Sequence, residues 1–265
     1  MRIALLTSTS RRHAYLARRL QERHDLAVIV REQKGLDDAY AGREDADLIA
    51  DHFRRLAGAE DAFFPDHAWC GVRSETITVD RGGLNTDAVF TELRRAQPEA
   101  IAVFGCGLIK APVLGMLPAN RLLNIHQGLS PYYRGSGTNF WPFHDQRPEL
   151  VGVTLHTIDA GTDTGGIIAH GRPSIDPTDG LHTLGLKSVV VSAELMLDAL
   201  DALAGGEELT PIPQWAGGTL YRRRDFNGEA IKRVRALEAA GFIAEWLHRR
   251  ERHETAAVRL IRIER

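Results

Sequence analysis

The chain has 265 residues, of which 43% are hydrophobic and 26% charged, and its 33 basic and 35 acidic residues give a formal net charge of −2. This composition is typical of a globular protein with one large domain and excludes a collagen-like, coiled-coil or intrinsically disordered chain. No apolar run is long enough to cross a bilayer and only Cys70 and Cys106 are present, so we expect a cytoplasmic protein that has no disulfides and does not contact membranes.

Apolar runs of strand-like length alternate with amphipathic, helix-like patterns through the first half of the chain. Strands are predicted at residues 2–7, 25–30, 75–80, 100–104 and 121–126. Helices are predicted between them at residues 11–22, 46–57, 86–97 and 111–117. This β-α-β alternation predicts an α/β protein with an open, mostly parallel sheet flanked by helices. In such a sheet, ligands bind at the carboxyl ends of the strands.

The second half of the chain contains fewer predicted elements. Strands are predicted at residues 151–158 and 167–174, and a long helix at residues 181–203. The next segment contains two prolines and paired glycines and is predicted to be a linker (EELTPIPQWAGG). A strand at 219–221 and helices within 230–250 follow it. We therefore expect a catalytic domain at residues 1–205 and a small C-terminal extension at residues 206–265.

Two common kinds of site lack support in the sequence. The loop after the first strand has no glycine (TSTSRR), so it does not match the G-x-G-x-x-G loop that binds dinucleotide phosphates. The histidines are scattered and the cysteines lie far apart without a C-x-x-C pair. For that reason we expect no metal site.

Polar residues at the end of the strand at 121–126 are the first candidates for catalysis. Asn124 and His126 are two positions apart, so their side chains point to the same face of the strand. An amide and an imidazole on one face suit the stabilisation of negative charge on a reacting oxygen. The same pair is equally compatible with strand-end side chains that bond only to nearby backbone.

The loops that follow supply charged and aromatic partners. Residues 128–137 carry Tyr133 and Arg134 between glycines, a combination that binds planar or anionic ligands or simply packs as a loop. On the loop after the next strand, Asp163 is a carboxylate that could hold the tautomer of His126 and favour its charged form. Asp159 on the same loop fits a turn-forming role.

Three sequence patterns occur in a characteristic order. They are N-I-H at 124–126, L-S-P-x-Y-R-G at 129–135 and G-V-T-x-H-x-x-D-x-G-x-D-x-G-x-I-I at 152–168. This order resembles the folate-dependent formyltransferase family, which includes glycinamide ribonucleotide, methionyl-tRNA and sugar N-formyltransferases and the related formyltetrahydrofolate deformylase. The resemblance covers roughly residues 1–205 and implies the formyltransferase fold, with 10-formyltetrahydrofolate as co-substrate and no metal.

The resemblance also implies roles for individual residues. Asn124, His126 and Asp163 match the catalytic residues of the family, and His156 matches a second histidine near the site. The segment whose backbone holds the pterin corresponds to Leu108, Ile109 and Lys110. The loop that closes over the pterin corresponds to the stretch that contains Asp159 and Gly161.

The acceptor is where this sequence departs from the family pattern. After L-S-P-x-Y-R-G, the chain continues with aromatic residues, which makes Tyr133, Arg134 and Trp141 candidate acceptor contacts. A cation beside flat apolar rings suits a nucleotide-linked amino sugar whose primary amine is formylated. The alternatives are another small amine from a natural-product or purine pathway, hydrolysis of the folate, transfer to tRNA, and a binding module without catalysis.

Macromolecular partners are weakly indicated. The near-neutral charge argues against a dedicated nucleic-acid binder. Three aromatic residues of the extension could form a homodimer contact or the extension's own small core. They are Tyr221, Phe226 and Trp246.

Overall fold

A seven-stranded sheet forms the centre of the protein. The computed structural model describes residues 1–33, 40–250 and 258–263. The strands in this part of the chain are β1 (Arg2–Ser8), β2 (Asp25–Glu32), β3 (Glu75–Val79), β4 (Ala100–Phe104), β5 (Leu122–His126), β6 (Tyr133–Gly135), β7 (Val153–Thr157), β8 (Ile167–Gly171) and β9 (Thr219–Tyr221). The α-helices are α1 (Arg11–Arg23), α2 (Ala46–Phe63), α3 (Asp87–Ala96), α4 (Phe140–His144), α5 (Leu181–Ala204), α6 (Gly228–Ala239) and α7 (Phe242–Arg250).

The strand order is β3-β2-β1-β4-β5-β7-β8. β1 to β5 are parallel, whereas β7 and β8 run antiparallel to their neighbours. The predicted open, mostly parallel sheet is therefore confirmed. The change of direction between β5 and β7 puts Asn124 directly opposite His156 in the register.

Helices cover both faces of the sheet because its central strands are apolar on both sides. Every residue of β4 is buried. α1 and α5 cover one face, where Leu16, Leu20 and Met196 are buried together. α3 covers the other face through Val89 and Leu93. Burying a side chain of this size stabilises a fold by about 1.5–3 kcal/mol. No described helix is both long enough and apolar enough to span a membrane.

Residues 206–250 and 258–263 pack against the rest of the chain. β9 pairs in parallel with β6, and Ile212 exchanges two backbone hydrogen bonds of 2.8 Å with Ile167 on β8. Phe226 and Ile231 join Ile49 of α2 in one apolar cluster. The stretch that was predicted to be a linker is therefore attached to the sheet, and the C-terminal segment shares a core with the residues before it.

The structure differs from the predicted elements in two places. The helix predicted at 111–117 is only a single 3-10 turn, Val113–Gly115. Pro112 and Pro118 bracket that turn, and a proline has no N–H with which to continue a helix. Conversely, no helix was predicted for the aromatic run after residue 135, which forms α4, whose Phe140 and Phe143 are buried.

Candidate active site

Asn124 and His156 face each other at the carboxyl end of β5. Asn124 Nδ2 lies 2.9 Å from His156 Nε2, and His156 Nδ1 lies 2.7 Å from the carbonyl oxygen of Thr157. A carbonyl oxygen only accepts, so Nδ1 of His156 carries the proton and, in the neutral ring, Nε2 accepts from the Asn124 amide. This arrangement fixes the orientation of that amide and leaves its second N–H available.

His126 is the most enclosed of the candidate catalytic groups. Its Nε2 donates to the carbonyl oxygen of Tyr133 at 3.0 Å, and its Nδ1 lies 3.3 Å from Asp163 Oδ2. Burial lowers the pKa of His126, while the Asp163 carboxylate acts to raise it. Because Nε2 already carries a proton, a second proton on Nδ1 makes the ring an imidazolium that faces the carboxylate.

Asp163 connects both histidines. Its Oδ1 lies 3.7 Å from His156 Nε2, and its Oδ2 also accepts from the backbone N–H of Gly135 at 3.1 Å. Burial acts to raise the pKa of Asp163, but His126, His156 and the Gly135 N–H outweigh burial and lower the pKa to about 2. Asp163 has a positive φ of 52°, a left-handed backbone conformation that Asp and Asn tolerate better than most residues.

Gln214 holds the backbone of the Asp163 loop. Its Nε2 donates to the carbonyl oxygens of Asp163, at 2.7 Å, and Gly165, at 2.9 Å. Its Oε1 is buried and has no hydrogen-bond partner among the described residues. No sequence pattern marks Gln214, because it lies in the stretch predicted to be a linker, about fifty residues after the loop it contacts.

On the opposite side of Asn124 and His126, two side chains fix the loop that follows β4. The buried Glu32 carboxylate accepts from the N–H of Gly107 at 2.6 Å and of Gly82 at 2.7 Å. Asn85 donates to the carbonyl oxygen of Leu108 at 2.8 Å and accepts from the N–H of Lys110 at 2.6 Å. Each side chain thus joins this loop to the loop after β3.

The predicted pterin segment occupies this fixed loop. Leu108 is 53% exposed and Ile109 is buried. No described residue accepts a hydrogen bond from the N–H groups of Leu108 and Ile109. These open donors are the kind of groups that the polar edge of a flat heterocycle needs, so this loop fits a folate.

The second predicted folate loop is exposed. Asp159 Oδ1 accepts from the N–H of Gly161 at 2.9 Å and from the hydroxyl of Thr164 at 2.6 Å. Asp159 therefore forms the turn that its position suggested.

A cleft of about 580 Å³ opens beside Asp163. Its lining includes Arg134, Thr164, Gln214 and Trp215. Arg134 Nε is buried without a hydrogen-bond partner, and no carboxylate among the described residues lies within ion-pair distance of this guanidinium. Trp215, which no sequence pattern marked, supplies the aromatic surface of the cleft.

Tyr133 and Trp141, two of the three predicted acceptor contacts, lie in the interior instead. Trp141 is 3% exposed, stacks on Tyr221 with ring centroids 4.0 Å apart, and donates to the carbonyl oxygen of Ser136. The hydroxyl groups of Tyr133 and Tyr221 both donate to Asp145 Oδ2. These rings fix β9 against β6 and leave Arg134 as the predicted contact that reaches the cleft.

The three aromatic residues that could have formed a dimer contact, Tyr221, Phe226 and Trp246, pack against other residues of the same chain. Phe226 is 6% exposed, Tyr221 stacks on Trp141, and Trp246 packs at the margin of the same apolar cluster. In residues 1–33, 40–250 and 258–263, no group of three or more His, Cys, Asp or Glu side chains is placed to hold a metal ion.

The profile of the family described as formyl transferase matches residues 1–200. This chain belongs to the formyltransferase family. Among curated relatives, it is 35% identical over 135 residues to a methionyl-tRNA formyltransferase of Verminephrobacter eiseniae, covering 50% of this chain and 40% of the relative. It is 31% identical over 164 residues to a methionyl-tRNA formyltransferase of Myxococcus xanthus, covering 59% of this chain and 52% of the relative. The chain thus spans about half the length of these formyltransferases, or less.

Solved structures of formyltransferases share the fold. A sugar N-formyltransferase from Shewanella has a TM-score of 0.55 at 15% identity, covering 85% of this chain and 78% of that one. A phosphoribosylglycinamide formyltransferase from Anaplasma phagocytophilum has a TM-score of 0.53 at 15% identity, covering 84% and 98%. At such identities the likeness concerns the fold alone.

Proposed function

We propose that this protein transfers a formyl group from 10-formyltetrahydrofolate to a primary amine of a small-molecule acceptor. The observation that carries the proposal is the convergence of Asn124, His126 and Asp163 at one point between two loops. One loop presents open backbone N–H groups and the other borders a cleft with an unpaired arginine. Donor and acceptor would then reach the same point from opposite sides.

The proposed chemistry assigns each polar group a task. In the donor, the formyl carbon is bonded to a folate nitrogen. This bond breaks, and the formyl carbon forms a new bond to the nitrogen of the acceptor amine. The spare N–H of Asn124 donates to the formyl oxygen as negative charge develops on it, and the imidazolium of His126 contributes its positive charge. Asp163 favours the charged form of His126 against the effect of burial. Through water, Asp163 also relays the proton lost by the amine, which ends on the nitrogen that the formyl carbon leaves.

The acceptor that suits the cleft carries an anionic group and a flat ring. Arg134 provides an unpaired guanidinium, and Trp215 provides an aromatic face. Guanidinium groups bind phosphates with paired hydrogen bonds, and aromatic faces stack on bases. We therefore propose a nucleotide-linked amino sugar as the acceptor.

The test is tetrahydrofolate release from 10-formyltetrahydrofolate in the presence of separate amines. The panel contains nucleotide-linked amino sugars, phosphate-free amines, glycinamide ribonucleotide and methionyl-tRNA, which is included because the curated sequence relatives are methionyl-tRNA formyltransferases. Release that depends on a nucleotide-linked sugar supports the proposal. Release without any amine indicates hydrolysis, and tight folate binding without release indicates a binding module. A preference for methionyl-tRNA or a phosphate-free amine overturns the acceptor assignment.

The Arg134→Ala variant tests the acceptor assignment directly. We expect the apparent acceptor constant to rise roughly ten- to a hundredfold, because a charge-assisted contact is worth about 1.5–3 kcal/mol. The donor constant should stay unchanged. Arg222→Ala, at an exposed arginine outside the cleft, is the matched control. If both constants rise together in Arg134→Ala, Arg134 shapes the loop and does not contact the acceptor.

A further inference from the structure

A second recess lies between α2, α5 and α6. Its volume is about 240 Å³. The polar side chains in its lining include His52, Arg55, His182 and Arg235. None of these residues belongs to the candidate active site. The recess also brings α6 of the C-terminal segment against two helices of the sheet domain.

His52 is a buried polar side chain without a hydrogen-bond partner. It is 8% exposed, and its close neighbours are the rings of Phe53, Phe140, Phe226 and His182. The His52 and His182 ring centroids are 5.0 Å apart. No described residue forms a hydrogen bond with the ring nitrogens of either histidine, and these nitrogens are not sealed from solvent. They are therefore open to a ligand in the recess.

The two arginines keep spare hydrogen-bond donors. Asp51 Oδ2 accepts from Arg55 Nε at 2.9 Å and from Arg235 Nη2 at 2.6 Å. The remaining N–H groups of both guanidinium groups are left for another acceptor. Glu238 also lines the recess, and its Oε1 accepts from the Leu181 N–H at 2.8 Å.

Both histidines of the recess have lowered pKa values. Burial is the main cause that lowers the pKa of His52 to about 3; His182 and Arg235 act in the same direction, and Asp51 only partly opposes them. Burial also lowers the pKa of His182, and Arg55 and Arg235 add to that effect. Both rings are therefore neutral at pH 7.

We propose that this recess binds a small oxyanion, a phosphate or carboxylate group held by His52, His182 and the two arginines. Its carbon part would contact the apolar lining, which includes Phe140 and Val234. A bound anion would draw a proton onto His182 and would link α6 to α2 and α5. The ligand would thereby stabilise the packing of the C-terminal segment. This proposal does not depend on the proposed formyl transfer.

The test is a titration of the whole protein with inorganic phosphate and, separately, with benzoate, at constant ionic strength kept with sodium chloride. The signals of the His52 and His182 rings are followed by NMR and assigned with His52→Gln and His182→Gln. We expect saturable shifts of both rings and a rise in the apparent pKa of His182. Saturation with phosphate identifies a phosphate site, and saturation with benzoate alone identifies a carboxylate site.

Arg55→Gln is the decisive variant, and Arg54→Gln is its matched control. Both arginines are exposed and bond to Asp51, but only Arg55 lines the recess. We expect binding roughly ten- to a hundredfold weaker in Arg55→Gln and unchanged in Arg54→Gln. Melting temperatures confirm that both variants are folded. NMR shifts that do not saturate with either anion would overturn the proposal. So would an equal anion affinity in Arg55→Gln and Arg54→Gln.

Discussion

The two sides of the candidate active site are held by different parts of the chain. On the donor side, Glu32 and Asn85 from the first hundred residues fix the loop after β4. On the acceptor side, Gln214 and Trp215 come from the segment after α5. The formyltransferase profile covers residues 1–200, which include the donor-side supports and Arg134 but not Gln214 and Trp215. The residues proposed for the chemistry therefore lie within the profile region, whereas the proposed acceptor cleft combines Arg134 with residues beyond it.

The largest effect is expected where the two sides meet. His126→Ala should lower the rate of formyl transfer at least about a hundredfold, because a group that stabilises transition-state charge is lost. Rates from single-turnover assays and melting temperatures are the measurements. His248→Ala, at an exposed histidine, is the control. A near-normal rate in His126→Ala would show that the buried histidine is only structural.

Asp163→Asn separates the charge of this residue from its shape. The rate of formyl transfer should again fall by roughly a hundredfold. The variant removes the negative charge of Asp163, which favours the charged form of His126 against the effect of burial. Asn tolerates the positive φ of this position, so the variant should fold.

The acid stability of the same variant provides a second readout. The pKa of Asp163 is about 2 when folded, against 3.8 ordinarily. Its ionised form therefore stabilises the fold above pH 4, and this stabilisation is lost as the pH falls through about 2. Between about pH 5 and pH 2, the free energy of unfolding should fall in both proteins. The fall should be about 2 kcal/mol smaller in Asp163→Asn than in the parent. Equal losses measured in urea would mean that Asp163 is not an ionised partner of His126.

Gln214→Ala tests the support on the acceptor side. Two hydrogen bonds to the Asp163 loop are lost, each worth about 1 kcal/mol, so we expect kcat to fall roughly ten- to thirtyfold. Folate affinity should stay unchanged, because the donor loop has its own supports. Pro213→Ala, which alters the same cleft without removing these bonds, is the control. A loss of folate affinity would show that the two sides are not independent.

The smallest effect is expected from the matching change on the donor side. Asn85→Ala leaves the Leu108 carbonyl and the Lys110 N–H without their partner, so folate affinity should weaken about tenfold. The acceptor constant should stay the same. Lys110→Ala is the control and should change affinity by less, because the proposed contacts are backbone groups. A larger loss in Lys110→Ala, measured by folate titration, would point to a direct side-chain contact.

Local patterns in the sequence were sufficient for the sheet. The run AIAVF predicts β4 at the residues where the structure has it, because a strand covered on both faces must be apolar throughout. The pairing of Asn124 and His126 on one strand face follows from the two-residue period.

The acceptor side could not be predicted in this way. Gln214 acts through contacts with residues about fifty positions away, and a proline-rich stretch gives no periodic signal. Trp141 carries the signal of a ligand-binding aromatic residue, yet Tyr221 covers it. Trp141 is buried because the segment that contains Tyr221 packs on it. The position of a segment so far along the chain is not contained in any local sequence pattern.

The pairing of β6 with β9 has a consequence for assembly. Gly135 lies so close to β9 that an added Cβ would sit 2.1 Å from the Tyr221 carbonyl oxygen, so only glycine fits there. Every bond of this pairing would form equally well if the segment from residue 206 onward crossed to a second copy of the chain. Such a domain-swapped dimer needs no new interface. Each of its active sites would combine Asp163 of one chain with Gln214 of the other, whereas a single chain completes the site with its own Gln214.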